Sequence, residues 1–187
     1  ADLIPPVAFA FWRWTLAFVL ILPFSLRPLA QDRNEIARRW KMLLLLALLG
    51  ISSFNTLLYT AVHTTTAING ALIQSTMPAV IVLLSLLLYR EKVATRQMGG
   101  VALCILGACL IVLRGDLKTL LTMSFVQGDL LMIIAVSAYG LYSAMLRRRP
   151  AVHPLSFLAA TFALGAAGLF PVYLAEHGIS VVIAGGM

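Results

Sequence analysis

Charge is scarce in this chain. Of its 187 residues only 11% are Asp, Glu, Lys or Arg, and seven acidic residues face fourteen basic ones. A water-soluble domain carries about 25% charged and about 45–50% apolar residues. Here the apolar share is 61%, which excludes an ordinary cytosolic enzyme and a disordered tail. Cysteine is nearly missing too. Cys104 and Cys109 stand five apart in one apolar run, on different faces of a helix, and read as small hydrophobes. The three histidines, His63, His153 and His177, fall in or beside connectors without neighbouring carboxylates. No zinc spacing, HExxH, GxSxG, GxGxxG or phosphate-binding loop occurs. The expectation is therefore no metal, no cofactor and no enzyme.

Long apolar runs are what the chain does have, and they raise its mean hydropathy to +0.96. A spanning helix needs about 20 mostly apolar residues. Six stretches qualify: 7–26, 42–62, 70–89, 97–113, 126–146 and 155–175. Several are Leu- and Ala-rich without period-two alternation, which fits helices and not an outer-membrane barrel. The first has no basic leader or small-residue cleavage site, so it is not a signal peptide. The expected fold class is all-α, a polytopic transmembrane helix bundle.

Position gives the basic residues their meaning. Eleven of the fourteen sit in alternate connectors, 27–41, 90–96 and 147–153, whereas the other side has only Arg114 and Lys118. The positive-inside rule places those three connectors in the cytoplasm, with the chain multi-pass in an inner or plasma membrane. These clusters read as a topology signal, not as sites for nucleic acid or a particular lipid. Arg13 alone lies within a span.

The ends read as cut: 2–6 resembles the end of a connector, and the apolar tail after 178 an incomplete further span. A shift of 148 residues places Pro6 on Pro154, Phe9 on Phe157, Leu16 on Leu164 and Pro23 on Pro171. Each copy starts behind Pro and meets Pro near its far end. Five spans separate the copies, so they run in opposite directions, as in the inverted repeats of transporters.

These residues resemble the drug/metabolite transporter superfamily of the EamA type. Phe11-x-Arg13 through Pro23 is similar to that family's second helix. Asn55-x3-Tyr59-x-Ala61-x3-Thr65-x-Ala67, followed by Ala71, Ser75, Pro78, Glu91, Gln97, Gly100 and Gly107, resembles the last three helices of its first half. Gly128-Asp129-Leu130-Leu131 and the run to Arg147 resemble the opening of its second half. The resemblance implies inverted five-helix repeats, truncated here to about six helices that correspond to the second to seventh of ten. Residues 1–122 are then part of the first repeat and 123–187 the start of the second. It also implies a central cavity and export or exchange of small metabolites, with the bilayer and a small-molecule substrate as partners, no nucleic acid, and a homodimer allowed.

The polar residues inside the runs are the candidates for that cavity. Ser52, Asn55, Tyr59 and His63 recur at +3, +4 and +4 and share one helix face. Such a stripe faces other helices or water, so Asn55 and Tyr59 either bond between helices or line a cavity. Gln74, Ser75 and Pro78 lie together in the third run, where Pro78 predicts a kink that serves as a hinge or merely improves packing. Arg13 either snorkels beside Trp12 and Trp14 or faces the outer mouth of the cavity and attracts carboxylate-bearing solutes. Tyr139, Tyr142 and Ser143 share a face and either pack or line the cavity. Asp129 reads as an N-cap, Glu91 as a connector pair, and Gly100/Cys104/Ala108 and Ala159/Ala163/Ala167 as helix seams. No acidic residue lies deep in a run, which favours facilitation or exchange over proton coupling. The function expected is transport of amino-acid-like or drug-like solutes by alternating access. The alternative is a non-transporting scaffold or a lipid flippase-like subunit.

Overall fold

The computed structural model describes residues 5–90, 94–113 and 126–185, and every regular element among them is helical. Helix α1 spans Pro6–Arg38, α2 Trp40–Ala47, a π-helical turn Leu48–Ser53, and α3 Phe54–Val62. Then come α4 at Ala67–Ser75, α5 at Met77–Tyr89, α6 at Thr95–Leu113 and α7 at Gln127–Met145. A 3₁₀ turn at Leu146–Arg148 precedes α8 at Pro154–Gly185. Among the described residues five helical runs are long and apolar enough to cross a bilayer: Val7–Arg38, Trp40–Val62, Ala67–Tyr89, Gln127–Arg148 and Pro154–Glu176. With the shorter apolar α6, the chain is a multi-pass bundle of five to six membrane-spanning helices.

Three boundaries differ from the sequence reading. Helix α1 continues to Arg38 instead of ending at 26, so most of the connector 27–41 is helical. Its 33 residues reach about 50 Å, beyond a hydrocarbon core of about 30 Å. The last turns are held by Glu35, which pairs with Arg38 at 2.7 Å and Arg39 at 2.9 Å, before Arg39 leaves helical geometry. Helix α8 runs unbroken to Gly185, so the residues after 178 continue the helix that holds the sixth apolar run. At Pro78 the helical run Ala67–Tyr89 is interrupted two residues earlier, at Thr76. Pro78 itself falls in the first turn of α5, where its missing N–H costs nothing. Asp2, Glu91, Arg114, Asp116 and Lys118 lie outside the described residues.

The chain divides into two compact units, Ala1–Thr56 with Leu146–Met187, and Leu57–Met145; the boundary falls within α3. In the first unit α1 and α8 run antiparallel. At one end the Glu176 carboxylate accepts the backbone N–H groups of Val7 at 3.3 Å and Ala8 at 2.9 Å. At the other, Asp32 accepts the N–H of His153, just before α8, at 2.8 Å. Each acid satisfies orphan donors at the N-terminus of the opposite helix.

Helix α8 passes close against the side chains of the π-helical turn. A Cβ on Gly165 would stand 2.6 Å from Ile51, and one on Gly168 2.5 Å from Ser52 Oγ. The Ser52 hydroxyl donates to the Gly165 carbonyl at 3.0 Å. Of the predicted alanine seam, Ala159 is buried and Ala163 half-buried but Ala167 is exposed, and at this crossing the glycines one face round make the contact. The predicted seam on α6 is also not observed. Gly100 and Gly107 have nothing within 4 Å of an added Cβ, and Cys104 is exposed. Helix α6 packs against α4.

In the second unit α5 packs along α7, and α4 against α6 and α7. Gly128 opens α7 where a Cβ would come within 2.6 Å of Thr65 N, so only glycine fits beneath that turn.

Overpacking a tight seam costs about 1–3 kcal/mol. Gly165→Ala is expected to lower the thermal midpoint in detergent by about 2–10 °C, with partial recovery when Ile51→Ala is added. An unchanged midpoint would contradict the close approach.

Candidate functional site

Two of the sequence candidates meet in the first unit. The Arg13 guanidinium donates through Nη2 to Asn55 Oδ1 at 2.5 Å, although 42 residues separate them. Asn55 is only 3% exposed, and its Nδ2 donates to the Ile51 carbonyl one turn back at 2.6 Å. The amide is thereby oriented, with nitrogen spent on its own helix and oxygen aimed at the cation. Arg13 itself is exposed, and its guanidinium carbon stands 5.2 Å from the Trp14 ring centroid. It is accessible, yet tied to a buried amide, a partner that neither sequence reading named.

Aromatic rings from α1 and α8 continue this end of the unit. Trp14 lies 5.0 Å from Phe162, and Phe11 stacks on Tyr173 at 4.8 Å with Phe170 at 5.8 Å. The Trp14 indole N–H and the Thr15 hydroxyl are buried with no hydrogen-bond partner among the described residues. Such groups each cost about 1–3 kcal/mol when left unsatisfied. The arrangement sets an exposed cation next to apolar rings, which suits a small solute with an anionic end.

The second unit holds a pocket of about 480 Å³ lined by Thr65, Thr66, Gly70, Ala71, Gln74 and Met132, among others. Gln74 lines it and points its amide nitrogen at Met132 Sδ, 3.9 Å away. Behind Thr65 lies Asp129, 1% exposed. Its carboxylate accepts from the Thr65 hydroxyl, from Asn69 Nδ2 at 2.7 Å and from the Val126 N–H at 2.9 Å. Asp129 is thus not the N-cap expected. It sits inside the first turn of α7, reaches back to the N–H before the helix, and ties that turn to the start of α4.

The remaining candidates take more local roles. Ser75 donates to the Leu72 carbonyl at 2.7 Å and Thr76 to Ile73 at 2.6 Å, which satisfies carbonyls at the α4–α5 break. Pro78, Tyr59 and Tyr139 are half-buried, and the Tyr139 ring lies 5.5 Å from Tyr142. His63, the last member of the predicted stripe, is exposed. Of the seven candidates, Arg13 and Asn55 belong to the first unit, and Tyr59, Gln74, Ser75, Pro78 and Tyr139 to the second. Among the described residues no three His, Cys, Asp or Glu side chains gather as a metal site. Sequence reasoning missed Glu176 and the burial of Asp129. The only available signal was an acid placed at the edge of an apolar run.

Asp129 generates a stability prediction. Hydrogen bonds to a charged group contribute about 1.5–3 kcal/mol each. Asp129→Ala should lower the thermal midpoint more than either Thr65→Val or Asn69→Ala alone. A midpoint for Asp129→Ala no lower than those of the single-partner variants would contradict the clamp.

Residues 1–113 match the EamA-like transporter family. An uncharacterized transporter of Bacillus subtilis (strain 168), YyaM, is 26% identical over 170 residues, covering 90% of this chain and 56% of its own length. An uncharacterized transporter of Archaeoglobus fulgidus is 29% identical over 172 residues, covering 90% of the chain and 57% of its own length. One from Methanothermobacter thermautotrophicus is 35% identical over 100 residues, 54% of the chain and 29% of its own length. The chain spans about half the length of the two relatives that cover most of it. No solved structure matches.

Proposed function

Since the chain belongs to the EamA-like transporter family, we propose that it forms part of a carrier that moves small amino-acid-like solutes across the membrane by alternating access. The observation that carries this reading is the Arg13–Asn55 contact: an accessible guanidinium held by a buried amide beside aromatic rings. A guanidinium presents forked donors that match a carboxylate, and the rings accept the apolar part of the same solute. A drug-like cation is disfavoured at this position by charge repulsion.

The second unit supplies the other proposed cavity residues, Tyr59, Gln74, Ser75, Pro78 and Tyr139. The break at Thr76 allows α4 and α5 to reorient without unwinding a continuous helix. Two inverted halves are the proposed framework. Helices α1 and α8 support it, because each begins at a proline, Pro6 or Pro154, carries an interior proline, Pro23 or Pro171, and runs antiparallel to the other. The proposed location is an inner or plasma membrane with the basic connectors in the cytoplasm. The acids in the described helices lie towards helix ends, which favours facilitation or exchange.

Solute counterflow in proteoliposomes tests the reading with a panel of amino acids, other carboxylates and organic cations. A carboxylate-bearing solute should exchange, and Arg13→Gln or Asn55→Ala should slow that exchange about tenfold or more, about 1.4 kcal/mol, at unchanged expression. No exchange by any member would favour the scaffold alternative. Unchanged kinetics in both variants would remove the pair from the site.

A further inference from the structure

The first unit carries a second concavity, at the opposite end of α1 from Arg13. It is a groove of about 470 Å³ between the far half of α1, the start of α2 and the first turns of α8. Phe18, Leu29, Leu43, Ala159 and Ala163 make its walls almost wholly apolar, and Arg33 and Trp40 stand at its rim. Leu43 and Ala159 are buried at its base. From Phe18 to Arg33 the groove follows α1 for about 22 Å, whereas one leaflet of hydrocarbon is about 15 Å deep. With the basic connector at the membrane surface, as proposed above, it is long enough to run from headgroup level into the acyl region.

The charges at the rim are of one sign in effect. Arg33 is exposed and forms no ion pair among the described residues. The two nearby acids are otherwise engaged: Asp32 accepts from the His153 N–H, and Glu35 pairs with Arg38 and Arg39. Lys41 adds a further cation 6.0 Å over the Trp40 ring, an aromatic suited to the membrane interface. An apolar groove with a cationic rim at headgroup depth matches one ligand class.

We propose that this groove binds an anionic glycerophospholipid, with its phosphate on the Arg33 guanidinium and one acyl chain laid along Phe18, Leu29 and Ala163. The guanidinium fork complements a phosphate diester, and basic sites between membrane helices recognise acidic headgroups. Ala159 and Ala163 leave the volume that the chain fills. This gives part of the basic connector a specific lipid contact in addition to its topological role. The inference depends on the membrane location and not on the transport reading.

Native mass spectrometry of the protein, released from detergent containing equal phosphatidylglycerol and phosphatidylcholine with identical acyl chains, provides the test. One phosphatidylglycerol retained per chain is expected, in preference to phosphatidylcholine. Arg33→Gln should lower its retention at least fivefold and erase the preference, and Arg33→Lys should keep most of it. Ala163→Phe fills the groove and should lower retention of both lipids. Thermal midpoints in lipid-free detergent identify any variant that fails to fold, and Arg33→Gln, at an exposed position, decides the matter if Ala163→Phe does not fold. Equal retention of the two lipids by the parent protein and Arg33→Gln would overturn the proposal. So would a lipid-free dimer dissociated by Ala163→Phe, which would place a second copy in the groove.

Discussion

Hydrocarbon offers no hydrogen bond, so a polar side chain within this bundle must find its partner in the protein. Two classes of solution result. Several hydroxyls return to their own helix: Ser25 to Leu22, Ser75 to Leu72, Ser137 to Ile133 and Thr161 to Phe157, whereas Ser52 reaches across to the Gly165 carbonyl. Amides, carboxylates and the guanidinium have too many polar atoms for that and must reach further. Arg13 meets Asn55, Asn69 and Thr65 meet Asp129, and Glu176 meets the start of α1. The long-range polar contacts therefore mark the helix pairs that the bundle holds in register.

Their strengths differ in a way that bears on mechanism. Arg13–Asn55 is one hydrogen bond on an exposed guanidinium, so a solute can take its place at the cost of one amide oxygen left to be satisfied. Asp129 gathers three donors while almost completely buried, and its loss would strand all of them. One arrangement is replaceable and the other is fixed. A carrier needs both, a rigid joint that preserves the fold and a polar contact that ligand can displace.

Much of this was legible from residues alone. Apolar runs long enough to cross a bilayer located the spans, and the cost of an amide in lipid singled out Asn55. The partner of Asn55 was not legible, because helix periodicity assigns a face and not the residue opposite it. The seams show the same limit. Helix α8 is so rich in small residues that Ala159/Ala163/Ala167 and the face of Gly165 and Gly168 both satisfy a small-residue pattern, and only packing against the π-helical turn selects the glycines. Charge ended the predicted first span at 26, whereas the helix needs only backbone bonds and the Glu35 pairs to continue. Pro78 announced a missing N–H but left open whether the helix would bend or break.

Arg13 is the residue proposed to recognise a carboxylate. The most direct measurement is calorimetric titration of the purified protein with a solute it carries and with that solute's uncharged carboxamide. The carboxylate is expected to bind at least tenfold tighter, equivalent to about 1.4 kcal/mol, and Arg13→Gln to lose that difference. Equal affinities for acid and amide in the parent protein would contradict it.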